Sequence, residues 1–167
     1  KFDLIFSFNV FEHIKNQNEY IDLTNSFLNK NGKSLILCPN YDFPFEPHFV
    51  IPILYNKEVT YKLFKKRIES HEKNSGEKGL WDGLNFCTKS KLKKKLKEDG
   101  YEFQFDRKIK DRILNRIDFD QSSYFKKRQS LASKVAKIFQ LLYLDKIIFD
   151  YLNLPFPYMK LLIEKKN

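Results

Sequence analysis

The first 38 residues contain two apolar runs separated by an amphipathic segment, and this pattern constrains the fold more than any other feature. Residues 2–8 and 34–38 are almost continuously apolar, which predicts strands covered on both faces, as in a parallel sheet. Residues 17–29 show helical spacing and end before Gly32, which is expected to take the left-handed conformation beyond the last turn. A crossover of this length predicts neighbouring parallel strands with a right-handed connection.

Loops and helices are predicted after the second strand, which Pro39 should end. Residues 40–56 hold three prolines among aromatic residues, which predicts an ordered loop without a regular element. Residues 57–70 resume helical spacing, and the glycine-containing residues 71–86 predict another loop.

A short basic helix and an edge strand are predicted next. Thr88 is expected to cap a helix over residues 89–98, which Asp99-Gly100 should end. Residues 101–109 alternate between apolar and polar side chains, which predicts a half-exposed strand near the edge of a sheet.

The C-terminal part predicts helices and then one more strand. Residues 124–152 are mostly helical in pattern, with an apolar stripe. The stripe favours packing on the sheet over contact with a membrane surface, although the second interpretation stays open. Residues 158–164 predict the final strand.

Composition is that of one globular domain: 167 residues, of which 42% are hydrophobic. The net charge of +10 is uneven, because residues 1–56 carry four Lys and six Asp or Glu, a net −2, so that the remainder carries +12. Basic surfaces attract nucleic acid, acidic lipids or anionic substrates, but solvated lysine-rich helices are the more common explanation. The two cysteines, Cys38 and Cys87, predict one buried and one half-exposed thiol and favour a cytoplasmic location.

Polar residues follow both predicted strands, at residues 7–13 and 38–42. Ligands of open parallel sheets bind beyond the carboxyl ends of the strands. Because parallel neighbours end at the same edge of a sheet, the two segments are expected to flank one cleft.

These segments resemble the middle of class I S-adenosylmethionine (SAM)-dependent methyltransferases. The resemblance rests on Phe2-Asp3-Leu4-Ile5, on Asn9-Val10-Phe11-Glu12-His13-Ile14, on Leu28 with Asn31-Gly32-Lys33, and on Pro39-Asn40. It covers residues 2–40 in order and spacing, and beyond residue 40 it is mainly architectural.

The resemblance implies an α/β fold. The chain would form the C-terminal half of a Rossmann-like methyltransferase sheet, with parallel strands plus one antiparallel final strand inserted between its neighbours. Residues 1–167 would be a single partial domain, with helical insertions on the acceptor side at about 40–87 and 110–157. The family's Gly-rich cofactor loop and ribose-binding acidic residue are not among these residues and are expected upstream of Lys1. The fragment alone is therefore expected to bind SAM poorly and to be inactive.

The resemblance also assigns roles to residues at the two strand ends. The side chains expected beside the cofactor and the methyl group are Ser7, Phe8, Asn9 and Val10. The candidates for contact with the acceptor are Asn40, Tyr41, Asp42 and Glu46. Glu12-His13 is the obvious titratable pair, and His13 and His48 are candidate bases, since His is the usual base type. The alternative for the pair is that it orients the loop and the helix start, as is common in this family, and the alternative for His48 is loop packing. The three histidines do not have the spacing of a metal site, so no metal is predicted.

The function that these features predict is methyl transfer from SAM to a small-molecule, glycan or lipid-linked acceptor. One alternative is a nucleic-acid-binding or RNA-methylating module that uses the basic helix and residues 107–116, but no RNA motif of known form supports nucleic acid as a partner. A noncatalytic remnant that pairs with another chain is a second alternative. The sequence does not set the oligomeric state.

Overall fold

The structure is a computed structural model that describes residues 1–119, 142, 144, 146–152 and 154–165. The chain divides into two compact units, one formed by residues 1–106 with 157–167 and the other by residues 107–156. In chain order the elements are β1 (Phe2–Phe8), a 3-10 turn (Phe11–His13), α1 (Gln17–Phe27), β2 (Leu28–Pro39), β3 (Phe45–Glu46), β4 (Ile51–Pro52), α2 (Lys57–Ser75), α3 (Leu80–Gly83), α4 (Lys89–Glu98), β5 (Glu102–Phe105), α5 (Ile109–Phe119), a π-helix (Lys146–Tyr151) and β6 (Tyr158–Glu164).

The first unit contains a four-stranded mixed sheet in the order β1-β2-β6-β5. Strands β1 and β2 are parallel, with Phe8 opposite Leu37 at their carboxyl ends. Strand β6 is antiparallel to both β2 and β5 and lies between them. The predicted α/β class, the parallel pair and the antiparallel final strand between its neighbours are therefore confirmed.

The turn between α1 and β2 differs from the prediction. Helix α1 ends at Phe27, and Asn31, with φ 62°, takes the left-handed conformation in place of Gly32. Gly32 is required for a different reason: a Cβ atom there would lie 2.9 Å from the carbonyl oxygens of Asn29 and Phe2. The strand begins earlier than predicted because Leu28 already pairs with Phe2, and the register then shifts before Leu4 pairs with Lys33.

The middle of the chain holds more regular structure than predicted. The proline-rich segment contains a short antiparallel hairpin, β3 with β4. Helix α2 runs on to Ser75, where Gly76 in the left-handed conformation ends it, and α3 follows within the predicted loop. The edge strand β5 is shorter than its alternating pattern predicted.

Two apolar clusters form the core of the first unit. One lies between the sheet and its helices and includes Phe11, Ile36, Leu96 and Leu161. The other surrounds the hairpin and α2, and its buried members are Phe49, Ile51, Ile68, Trp81 and Leu84.

The prediction of one half-exposed thiol was wrong, because both cysteines are buried in the cluster against the sheet. The thiols of Cys38 and Cys87 hydrogen-bond each other, and this contact together with burial raises the pKa of Cys38.

Strand β1 is not covered on both faces, contrary to its apolar pattern. Phe2, Leu4, Phe6 and Phe8 alternate along one face and are each 50–64% exposed. Within the described ranges, β1 pairs only with β2, so it is an edge strand with an apolar exposed face.

In the second unit the described elements are α5 and the π-helix. The π-helix ends with Leu152 N donating to Ile147 O at 2.9 Å, and Phe149 packs edge-on against Phe156. Most of the helical range predicted at 124–152 lies outside the described residues. Over the residues that the structure covers, no helix is both long and apolar enough to cross a membrane.

Candidate functional site

The polar segments that follow β1 and β2 lie side by side at one edge of the sheet. Asn9 N donates a hydrogen bond of 2.8 Å to Leu37 O, which extends the pairing beyond β1. The segment after α3 joins both ends, because Asn85 N donates to Glu12 O (2.6 Å) and Tyr41 N donates to Cys87 O (3.0 Å). The predicted juxtaposition of the two segments is therefore present.

Four titratable side chains meet at this edge: Glu12, His13, Glu46 and His48, here called the His–Glu cluster. Glu12 and His13 belong to the turn after β1, whereas Glu46 and His48 belong to the hairpin after β2. The Nε2 atoms of His48 and His13 lie 3.8 Å and 4.0 Å from Glu12 Oε1. The two imidazole rings stand nearly edge-on to each other, 5.7 Å apart.

Glu46 is fully buried, and its carboxylate is well supplied with hydrogen-bond donors. It accepts bonds from Phe49 N at 2.8 Å and from the Tyr41 hydroxyl at 3.2 Å, and its Oε1 lies 2.6 Å from His48 Nδ1. Arg67 Nε of α2 donates to Phe49 O at 2.9 Å and so fixes the backbone of this loop. Glu46 therefore orients His48 rather than facing solvent.

Glu12 is also fully buried but lacks such donors. Among the residues that the structure describes, no other donates a hydrogen bond to either of its carboxylate oxygens. Burial raises the pKa of Glu12, because desolvation disfavours its charged form more than the nearby His48 favours it.

The two histidines respond in opposite ways to the same surroundings. Burial alone would lower the pKa of His48, but the hydrogen bond to Glu46 and the charges of Glu46 and Glu12 outweigh it, and the pKa is raised. The pKa of His13 is lowered by burial and by the neighbouring His48. Both rings are partly exposed, 31% for His13 and 22% for His48, so the cluster is reached from solvent on the imidazole side.

Asn40 and Asp42, predicted to contact the acceptor, hold the start of α4. Asn40 Oδ1 accepts from Lys89 N at 3.0 Å, and the Asp42 carboxylate accepts from both the backbone N–H (2.8 Å) and the hydroxyl of Ser90. These bonds satisfy N–H groups that a helix cannot satisfy itself. Contact of either residue with an acceptor stays a prediction.

The four residues predicted to face a cofactor differ in exposure. Ser7 is buried, and its hydroxyl oxygen has no hydrogen-bond partner. Phe8, Asn9 and Val10 are exposed, and Asn9 turns the chain with φ 53°. An unpartnered hydroxyl beside an exposed strand end is compatible with a bound polar ligand.

The cluster has two chemical capacities: an imidazole oriented by a carboxylate can accept a proton, and the same nitrogen can ligate a metal ion. The sequence predicts only acceptor contact for Glu46, and it predicts no metal. A metal-ligand spacing rule detects donors within one segment, whereas these donors come from two. Trp81 is 3% exposed and packs against Phe49 and Phe86, so it is an anchor of the second core cluster.

No family model matches the chain. Two relatives, both named uncharacterized proteins, come from Mycobacterium tuberculosis strains CDC 1551 / Oshkosh and H37Rv. Each is 39% identical over 100 residues, which cover 60% of this chain and 34% of the relative. The match thus spans about a third of the length of these curated relatives.

Proposed function

We propose that this chain is the C-terminal part of a SAM-dependent methyltransferase that acts on a small-molecule, glycan or lipid-linked acceptor. The observation that carries the proposal is the sheet order, in which antiparallel β6 lies between β2 and β5. The architectural part of the family resemblance, beyond residue 40, implied this placement of the last strand. The strand order supports a Rossmann-like arrangement, and proteins with several different functions share that arrangement.

The carboxyl ends of β1 and β2 supply one wall of the proposed pocket. SAM, when bound, supplies a methyl group on a sulfonium centre. Ser7, Phe8, Asn9 and Val10 would face it, with the exposed amide of Asn9 as the polar contact and the buried hydroxyl of Ser7 behind it. The residues of this chain would contribute mainly by positioning the reactants, which is a large term in transfer reactions.

The His–Glu cluster lies at the same edge and would face the acceptor. A base is needed only if the acceptor must lose a proton. The ring of His48, held by Glu46 at 2.6 Å, is the better oriented of the two candidates. His13 has no comparable carboxylate partner at hydrogen-bond distance in the described contacts, since Glu12 is 4.0 Å away.

SAM binding tests the proposal. Calorimetry is carried out on the longest product of the reading frame that contains this chain, with the 167-residue chain as a control. We expect the longer product to bind SAM and the 167-residue chain to bind it much more weakly. The upstream frame should also encode a Gly-x-Gly loop after a strand.

A matched pair of variants tests the site. Asn9→Gly removes the amide while allowing the left-handed backbone, and Asn31→Gly makes the same change at φ 62° in the turn before β2. We expect only Asn9→Gly to weaken SAM binding. A longer product without affinity for SAM, or equal losses in the two variants, would contradict the proposal.

A further inference from the structure

The His–Glu cluster brings together a donor set of the kind that binds transition metals. Within the described residues, Glu12, His13 and His48 each offer one ligand atom, and these atoms lie within 4.8 Å of one another. Two imidazole nitrogens and one carboxylate oxygen suit Zn²⁺, Fe²⁺, Co²⁺ or Mn²⁺ better than Ca²⁺ or Mg²⁺, which prefer oxygen ligands.

Glu12 is the observation that points to a ligand. Its carboxylate is fully buried, and neither oxygen accepts a hydrogen bond from any other residue in the described part of the chain. Its Oε1 lies 3.8 Å and 4.0 Å from the Nε2 atoms of His48 and His13. Buried polar atoms without partners are uncommon in native proteins and call for an explanation, such as an ion. A cation between Glu12 and the two rings would neutralise this carboxylate.

Glu46 supplies the support that metal-binding histidines usually have. A ligating imidazole generally donates its other N–H to a carboxylate, which fixes the ring and its tautomer. His48 Nδ1 lies 2.6 Å from Glu46 Oε1, while its Nε2 faces Glu12 at 3.8 Å. The backbone N–H of Phe49 and the hydroxyl of Tyr41 hold Glu46 in place in turn.

The distances require only a small contraction. Donors bound to one zinc-sized ion at about 2.0–2.2 Å stand roughly 3.3–3.6 Å apart in tetrahedral geometry. The observed 3.8 Å and 4.0 Å from Glu12 Oε1 to the two Nε2 atoms exceed this by less than about 1 Å, and the two imidazole donors lie within 4.8 Å of each other. Rotation of the partly exposed His13 would bring the three donors together.

We propose that Glu12, His13 and His48 bind one divalent transition-metal ion, with Glu46 as the outer partner of His48. Three protein ligands leave a coordination position open to solvent or substrate, as in catalytic rather than structural zinc sites. The proposal goes beyond methyl transfer and does not depend on it. Ligation uses the His48 nitrogen that would otherwise accept a proton, so the two roles exclude each other.

Metal titration without SAM tests the proposal. The longest product of the reading frame that contains this chain is stripped with a chelator and titrated with Zn²⁺ by calorimetry and with Co²⁺ by visible absorption. We expect one ion per chain. Glu46→Gln should weaken Zn²⁺ binding by about 10- to 100-fold, the usual effect of losing an outer partner, and Glu12→Gln, His13→Gln and His48→Gln should weaken it further.

His71→Gln is the matched control, because His71 is similarly half-buried but packs against Phe49 outside the cluster. It should bind Zn²⁺ as the unmodified protein does. Far-UV circular dichroism of the metal-free variants checks folding. His13→Gln is decisive if Glu12→Gln does not fold, since His13 lies on the exposed side of the cluster.

The proposal is wrong if the protein does not bind one equivalent of Zn²⁺. It is also wrong if His13→Gln and His48→Gln bind Zn²⁺ with unchanged affinity, or if His71→Gln loses as much affinity as they do. Metal binding without SAM binding would refute the proposed methyl transfer alone. SAM binding without metal binding would refute the metal site alone.

Discussion

Glu12 and Glu46 are two fully buried carboxylates with opposite surroundings. Glu46 accepts from a backbone N–H and a tyrosine hydroxyl and contacts His48, whereas Glu12 accepts nothing from another residue. Bonds to a charged group contribute about 1.5–3 kcal/mol, while a buried charge without partners costs several kcal/mol. In the metal-free protein, the Glu12 carboxylate should therefore destabilise the fold and the Glu46 carboxylate should stabilise it.

Neutralising the two carboxylates should change the free energy of unfolding in opposite directions. We expect Glu46→Gln to lower it by about 1–3 kcal/mol, because its charge-assisted bonds are lost. Glu12→Gln should raise it by about 1 kcal/mol, because an unpartnered amide costs less to bury than an unpartnered carboxylate. Urea unfolding at neutral pH with a chelator present measures both. If the free energy of unfolding falls in both variants, the buried Glu12 carboxylate stabilises the fold, contrary to what its contacts predict.

At this scale the sequence identified residues but not their pairing. The sequence offers His13, Glu46 and His48 as site candidates and Glu12 as the titratable neighbour of His13, because the family resemblance places both strand ends beside one pocket. The contact between Glu46 and His48, and their approach to Glu12, depend on the β3–β4 hairpin, which turns the loop back over the first strand end. A loop of prolines and aromatic residues carries no periodic signal that could predict this turn.

Helix α4 shows how fully the start of one element is fixed. Lys89 N, Ser90 N and Lys91 N donate to the side chains of Asn40, Asp42 and Thr88. Two of these acceptors come from the segment after β2, so α4 is attached to the edge of the sheet that carries the candidate site. Asn40 and Asp42 thus hold the start of α4 at this edge of the sheet.

Removing the local cap should cost a predictable amount. Thr88→Ala should lower the free energy of unfolding by about 1 kcal/mol, because Lys91 N loses its acceptor. Lys93→Ala, an exposed change on the same helix, should stay within about 0.5 kcal/mol. Thermal and urea unfolding compare the two. If Thr88→Ala lowers the free energy of unfolding no more than Lys93→Ala does, water takes the place of the Thr88 hydroxyl at no cost, and the prediction is wrong.

Helices and strands whose ends are marked by local sequence signals could be predicted. Elements that depend on contacts with residues far away in the sequence could not. Helix α4 begins after Thr88 and ends before Gly100, as predicted. Strand β6 has the limits that its apolar run at 158–164 predicts. The hairpin was missed because its strands are only two residues long. The exposure of β1 was missed because an apolar run does not reveal whether another element covers it.

At the scale of the molecule, the main feature is the apolar outer face of β1. Phe2, Leu4, Phe6 and Phe8 form a row of half-exposed side chains on an edge strand. Edge strands of this kind pair readily with other chains unless they are protected.

Self-association of the 167-residue chain should therefore depend on β1. Phe6→Lys should reduce the concentration-dependent growth of the sedimentation coefficient, because it places a charge in the middle of the apolar row. Leu63→Lys is the matched control, since Leu63 on α2 is 64% exposed, as Phe6 is. Equal effects of the two substitutions would place the association elsewhere.

The position of β6 has a consequence for how the protein is made. Among the described strands of this sheet, β6 is the last to be synthesised, and the paired residues Ser34 of β2 and Ile163 of β6 are far apart in the sequence. Until β6 is made, β2 has only β1 beside it among the described strands, and β5 lacks the partner that it has in the described sheet. A nascent chain that stalls before Tyr158 would expose two unjoined strand edges, and we expect it to require a chaperone until the final segment leaves the exit tunnel.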